Sequence, residues 1–431
     1  MGEGEHANPA AAQLSESEHA MKITAVETIL LTGPCTNDRF LREARGLRSA
    51  AFIRIHTDTQ HAGLGETYAG YFCPEIVPSI VAFFEPILVG QVVDESDDPA
   101  MWIAAMWRRM YHCGNFWCRV GLGAIVLTGI EAALWDMAGK MRRKPVVDVL
   151  GGAKHTSLKC YATGGPSNYP KQRLAEKVDY YLGLGFKGFK VGAGSIEDGK
   201  WSDGSERTGD VVSFEADKIA FLRKHCGKDI HILMDAHMGN SPTGVWDVPT
   251  AIAVAQAVEP FDLFLLEEAL PYTDAAGYAE LAAATRTPIA GGECLSTVPE
   301  WLEYVERDSF DIAQPDASYV GGLGEFMKIA RMLNARGKLL ATHAWGAGGS
   351  LMQNIHCGFA AGNTCMLEIP PDYAGLHSEV IGDALVMRDG VILPPEKPGL
   401  GIELSDATRA KYPFVTGSGE FNEVPGKVLK N

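Results

Sequence analysis

Asp235, Glu267, Glu293, Asp316, His343 and Glu368 follow one another at steps of 32, 26, 23, 27 and 25 residues, and each closes a short apolar run. Thr163 and Lys190 close two earlier runs of the same kind. A single acid in such a place is ordinarily a helix cap or half of a surface ion pair. Eight polar endings in register, with three successive carboxylates among them, call for a different reason. Carboxylates brought together repel one another unless a cation sits among them. Oxygen ligands without Cys or His suit a hard ion, so Mg²⁺ is the expected partner of Asp235, Glu267 and Glu293. Glu268 adjoins Glu267 but alternates to the other side of a strand, which places it behind the ligands in a supporting role. Asp316 and His343 lie one step apart, and a carboxylate beside an imidazole fixes its tautomer and raises its basicity. With a metal, Lys190 and Glu368 around one spot and His343 opposite, the set is equipped to remove a proton next to a carboxylate. The enediolate that results would be held by the same cations.

Such a set needs a scaffold that brings eight strand ends to one place. Between residues 159 and 369 the chain alternates two patterns. Short apolar runs (LKCYATGG, GFKVGAG, HILMDAH, LFLLEEAL, PIAGGE, FDIAQPDAS, KLLATHAWG, TCMLEI) are separated by stretches of helical period such as EADKIAFLRKHCG and GEFMKIARMLNARG. Eight strands alternating with helices predict parallel pairing, and the unit length matches an α/β fold of the (β/α)8, TIM-like kind. A doubly wound open sheet would want a Gly-rich phosphate turn after its first strand and fewer acid endings. In a barrel all the strand ends converge on one face. The step of 45 residues from Lys190 to Asp235 is the long one, and it holds the polar insertion SIEDGKWSDGSERTGD.

The totals agree with a soluble enzyme acting on a small molecule. At 431 residues two domains are expected. A net charge of -16 excludes a nucleic-acid footprint, but not an anionic substrate that a few local cations would hold. Nine cysteines without CxxC or a zinc spacing read as reduced thiols in a cytoplasmic protein. No apolar run is expected to span a bilayer, so no membrane partner is expected either. Residues 1–20 are poor in large hydrophobes and read as a disordered leader, with the folded part starting at Met21.

Taken together these stretches resemble the enolase superfamily, specifically its mandelate racemase subgroup. The resemblance runs through GIEAALWDMAGKMRRKPVVDVLGG, MDAH, LLEEAL, GGE, QPDASYVGG, ATHAWG and KPGLGIEL. It implies that Asp235, Glu267 and Glu293 bind magnesium, that Asp316 and His343 are the catalytic dyad, and that Glu368 stands near the substrate carboxylate. It also implies a capping domain of residues 21–139, completed by residues 394–431, around a barrel of residues 140–393. The loops TGPCTNDRFLREARG and GETYAGYFCPE would then close over the barrel mouth, with Arg39, Arg42 and Arg45 offered to a polyhydroxylated acid.

Two positions depart from the family pattern. Members with two opposed bases end the second barrel strand Lys-x-Lys, whereas this chain has Lys190 followed by Gly192. Lys190 is then the carboxylate-binding cation, and one base is missing. His237, two residues after Asp235, should face the barrel interior beside the metal, as a second acid–base group or a binder of a substrate hydroxyl. The expected activity is Mg²⁺-dependent dehydration of a sugar acid to a 2-keto-3-deoxy acid. Thr163, Lys190, His237, Glu368 and Arg45 would contact the substrate. The alternatives are a racemase or epimerase using His343 with His237, and a metal-binding barrel without turnover. A homo-oligomer is expected.

Overall fold

The structure, a computed structural model, describes residues 20–41, 47–164, 170–197, 200–239 and 245–419. The leader expected over residues 1–20 therefore lies almost wholly outside the described residues, as do Arg42 and Arg45. Four antiparallel strands open the chain: β1 (Ala20–Pro34), β2 (Leu47–Thr57), β3 (Ala62–Thr67) and β4 (Val92–Asp94), in the order β3-β2-β1-β4. Helices α1 (Val77–Leu88) and α3 (Leu122–Arg142) pack on this sheet, and α2 (Pro99–Cys113) packs on those two helices.

Helix α3 is long and apolar enough to cross a membrane, contrary to the expectation that no run would be, yet 94% of its apolar window is buried inside the protein. Its apolarity serves the interior. It lies so close to β3 that a Cβ at Gly65 would stand 2.3 Å from the carbonyl oxygen of Gly129, and one at Gly63 1.9 Å from that of Ala133. Two glycines at alternate positions on one strand face are what allow this approach.

Eight parallel strands follow. Strands β5 (Leu158–Ala162) and β6 (Gly188–Gly192) come first. A hairpin of β7 (Ser195–Glu197) and β8 (Lys200–Ser202) fills the long step. Then come β9 (His231–Asp235), β10 (Leu265–Glu267), β11 (Ile289–Gly291), β12 (Ile312–Ala313), β13 (Leu339–Thr342) and β14 (Thr364–Ile369). Each pairs with the next, and β14 returns to β5, which closes the barrel. Tyr161, Leu233, Leu265, Ala290, Ile312, Ala341 and Met366 fill the interior as one buried cluster, so the barrel is a packed core with a mouth.

The outer helices are α4 (Lys171–Gly183), α5 (Val211–Cys226), α6 (Val248–Val258), α7 (Ala275–Ala284), α8 (Val298–Glu306), α9 (Leu323–Ala335), α10 (Gly349–Ala360) and α11 (Leu376–Ile381). Asp210, Asp247 and Asp274 cap three of them by accepting from backbone N–H groups three residues on. These are the bland uses of an acid that the mouth residues had to be told apart from. Beyond the barrel, residues 399–418 run back to the first sheet. Val415 N donates to Thr32 Oγ1, and Arg54 donates to the carbonyl of Leu404.

Candidate active site

Parallel pairing puts Gly192, Asp235 and Glu267 side by side in register, at the carboxyl ends of β6, β9 and β10. Lys190, two residues back on β6, sends its ammonium up into the same space. Its Nζ stands 3.0 Å from Asp235, 2.9 Å from Glu267 and 3.0 Å from Glu368. Burial opposes the Lys190 charge, yet Asp235, Glu267 and Glu368 outweigh it and hold its pKa well above the ordinary value. The three carboxylates answer differently. Against burial, His237 and Lys190 hold Asp235 low, and Lys190 and His343 hold Glu368 low. Glu267 is pushed well up by burial and by Asp235. One ammonium does not neutralise three acids.

His343 follows β13, and Asp316 lies three residues beyond β12. The His343 Nδ1 and Asp316 Oδ2 are 2.8 Å apart, which leaves Nε2 facing the mouth, 3.4 Å from Glu293 and 3.9 Å from Glu368. Burial works against the imidazolium, but Glu293, Glu368 and Asp316 outweigh it and raise His343 to about 10. A dication among these acids would remove much of that pull. The expected constellation of Lys190, Asp235, Glu267, Glu293, Asp316, His343 and Glu368 is thus gathered at one mouth.

Other expectations need correction. Strand alternation placed Glu268 behind the ligands, but β10 ends at Glu267 and Glu268 has φ +48°. The chain turns there, and the Glu268 carboxylate comes round into the cluster. One of its oxygens, one of Glu293 and the Sγ of Cys294 lie within 4.8 Å of one another. Burial and Glu293 push its pKa well up. His237 is likewise not inside the barrel. With φ +52° beyond the end of β9, it sits on the rim, its side chain 61% exposed and Nε2 3.1 Å from Asp235 Oδ2. Thr163 is buried at the end of β5, its N–H bonded to the carbonyl of Ile369. Arg39 is exposed and faces Glu176 at 3.7 Å, away from the mouth acids.

Gly192 has a lysine after all, but on the outside. Lys218 of α5 donates to the carbonyls of Gly192 and Gly194 at 2.7 and 3.0 Å, and pairs with Glu215 at 2.6 Å. It braces the strand end and offers no base to the mouth.

Several residues that shape the site escaped the sequence reading. Asp316 Oδ1, the oxygen turned from His343, accepts from Asn354 Nδ2, Ser318 N and Ser318 Oγ, each at 2.7 Å. Glu66, from β3, crosses to the loop after His343 and accepts from Ala347 N at 2.7 Å and Ser350 N at 2.8 Å, at the start of α10. Tyr68 packs edge-on against the His343 ring, centroids 5.8 Å apart. A polar residue in a wholly buried helix is the signal that could have found Asn354. All twelve residues of α10 are buried, and GSLMQNIHCGFA still carries Gln353, Asn354 and His356.

The residues present fit a divalent cation. Glu267 Oε2 is fully buried with no hydrogen-bond partner, and five carboxylates (Asp235, Glu267, Glu268, Glu293, Glu368) share one ammonium and two imidazoles, those of His343 and His237. Apart from Cys294 the donors are oxygen, the preference of a hard ion.

A family model described as Enolase C-terminal domain-like matches residues 173–408. Arabinonate dehydratase of Saccharolobus solfataricus is 29% identical over 364 residues, covering 83% of this chain and 89% of that protein. The crystal structure of L-talarate dehydratase from a Polaromonas species, complexed with Mg and L-glucarate, is similar at a TM-score of 0.73 and 27% identity, covering 91% of this chain and 97% of that one. The 3,6-anhydro-D-galactonate cycloisomerase from Zobellia galactanivorans is similar at 0.75 and 26%, covering 91% and 99%.

Proposed function

The chain belongs to the enolase superfamily, in its mandelate racemase branch, and from that premise we propose that it is a Mg²⁺-dependent dehydratase of a sugar acid. The observation that carries the reading is a mouth with its chemistry on one side. The Asp316–His343 pair faces Lys190 and Glu368, and Gly192 stands where a second base would be. The arabinonate and talarate dehydratases among the relatives support the reaction class.

Asp235, Glu267 and Glu293 would hold the cation, which when bound supplies Lewis-acid stabilisation of the substrate carboxylate, worth several kcal/mol. As the residues stand, Lys190 is the counter-ion of Asp235, Glu267 and Glu368. Relieved of part of that duty, its N–H donors can turn to the substrate carboxylate. Asp316 fixes the Nδ1–H tautomer, so the lone pair that takes the α-proton is on His343 Nε2. The electrons of the broken C–H bond move into the enediolate. They return to expel the β-hydroxyl, which leaves as water with the proton His343 gained. The enol tautomerises to the 2-keto-3-deoxy acid. Tyr68, buried against His343, keeps bulk water off the ring.

A second reading, a cycloisomerase or epimerase, is favoured by His237 beside Asp235 and by the cycloisomerase among the similar structures. Incubation of the protein with Mg²⁺ and a panel of aldonates and aldarates, reading 2-keto acid, separates the two. Keto-acid formation from a sugar acid is the expected result. Interconversion of substrates with no keto acid would overturn the dehydratase reading.

A further inference from the structure

Two acids that lie outside the barrel cap the two barrel helices that follow the dyad. Helix α9 begins at Leu323, soon after Asp316, and α10 begins at Gly349, soon after His343. Their N-caps are Gly322 and Gly348, which have no side chain to receive the first backbone N–H groups. Helices α5, α6 and α7, by contrast, are capped by the aspartates that precede them. For α10 the oxygens come from Glu66 of β3, which accepts from Ala347 N at 2.7 Å and Ser350 N at 2.8 Å. For α9 they come from Glu131 of α3, which accepts from Gly324 N at 3.2 Å. Thr128, one turn earlier on α3, accepts from Gly321 N at 2.8 Å.

A pair of glycines makes room for each carboxylate. A Cβ at Gly346 would stand 2.9 Å from Glu66 Oε1, and one at Gly349 2.9 Å from Glu66 Oε2. A Cβ at Gly322 would stand 2.2 Å from Glu131 Oε2, and one at Gly324 2.7 Å from Glu131 Oε1. Both acids are buried. Burying a carboxylate is costly unless it is hydrogen-bonded, and the same arrangement is built twice, at the two loops that carry the dyad.

The connection from Glu66 to the dyad is continuous. Ser318 Oγ donates its one proton to Asp316 Oδ1, so it receives from Ser350 Oγ, 2.6 Å away. The N–H of that same Ser350 is held by Glu66. The Glu66 N–H donates to Gln353 Oε1 at 2.8 Å, and Gln353 Nε2 donates to the carbonyl of Ala317 at 3.3 Å. Beside His343, Arg48 of β2 donates to the carbonyl of Gly346 at 2.9 Å and lies over the Trp345 ring at 4.1 Å.

We propose that Glu66 and Glu131 are positioning residues for proton abstraction, through which β3 and α3 hold Asp316 and His343 at the spacing the reaction needs. Both act through backbone N–H groups and not on substrate. The elements outside the barrel are then part of the proton-transfer machinery as well as a cover for the mouth. The inference rests on the role given to the dyad in the proposed function, so one of its tests needs no substrate.

Glu66→Gln and Glu131→Gln keep the size of the side chain and remove its charge and one acceptor oxygen. Each should lower kcat about tenfold or more while KM stays within about twofold, the mark of an interaction that counts in the transition state. Where a Glu variant does not fold, Ser350→Ala, which breaks the hydroxyl link and leaves both acids in place, should lower kcat in the same way. Asp210→Ala, which removes the cap of α5, is the control, and it should lower the melting temperature and leave kcat unchanged. The substrate-free test is a crystal structure of each variant, in which the 2.8 Å contact between His343 Nδ1 and Asp316 Oδ2 should be lengthened or lost. A displaced dyad, in a protein whose wild type turns over no sugar acid, would overturn the dehydratase reading and leave this inference standing. Unchanged kcat in the folded variants, a rise in KM in place of the fall in kcat, or a dyad still at 2.8 Å would each overturn the inference.

Discussion

Asn354 donates from Nδ2 to Asp316 Oδ1 at 2.7 Å, on the side of the carboxylate away from His343. Its own Oδ1 accepts from Ala317 N at 2.8 Å, so the amide is clamped at both ends. Asn354 thereby keeps Asp316 aimed at His343, without touching substrate. A hydrogen bond to a charged group is worth about 1.5–3 kcal/mol. Asn354→Leu should therefore lower kcat on the order of tenfold to a hundredfold. KM should change little, because the binding groups lie elsewhere. Steady-state kinetics on the folded variant check this, and an equal rise in KM with unchanged kcat would contradict it.

His343→Asn should lower turnover on the order of 10²–10⁴-fold, the usual worth of a positioned general base. The same variant should stop exchange of the substrate α-proton in D₂O. Exchange continuing at the wild-type rate would move the role to another residue, with His237 the first to examine.

Magnesium should raise the melting temperature of the wild type, since a ligand bound only by the native state stabilises it, by about 2.7 kcal/mol at a hundredfold excess over Kd. Glu267→Gln removes the carboxylate whose Oε2 has no protein partner. That variant should stay folded and lose the Mg²⁺-dependent shift. EDTA should abolish wild-type activity and Mg²⁺ restore it. A full shift in the variant would exclude Glu267 as a ligand.

A single base reaches one face of carbon 2. Of two sugar acids epimeric at that carbon, only one should exchange its α-proton in D₂O, and elimination should be syn when His343 also protonates the leaving hydroxyl. His237, on the rim against Asp235, is the rival. Exchange of both epimers by wild type, reduced to one in His237→Asn, would establish it as the second base.

The barrel was legible because its repeat is written twice, in apolar runs and in the polar residue that ends each one. The gathering of Lys190, Asp235, Glu267, Asp316, His343 and Glu368 followed from that spacing alone. Glu268 and His237 were misplaced for one shared reason. Period-two alternation holds only while a strand lasts, and β9 and β10 stop at the ligands. A left-handed backbone at a Glu or His leaves no trace in residue type. Glu66 and Asn354 lie on elements far from the dyad in sequence, and only tertiary packing brings them to it.

The return of residues 399–418 to the first sheet has a consequence for synthesis. Leu31 bridges to Pro413, Thr32 Oγ1 accepts from Val415 N, and Leu400 N donates to Asp136. These contacts join residues 264 to 383 positions apart. On a ribosome, which delivers the N-terminal part first, the opening sheet must wait for the whole barrel to be made before it meets its last partners. Loop closure over such separations is slow. A nascent chain therefore spends most of its translation with an unfinished edge at β1, and a stop codon near residue 394 would leave every strand of the barrel in place while stranding the domain made first.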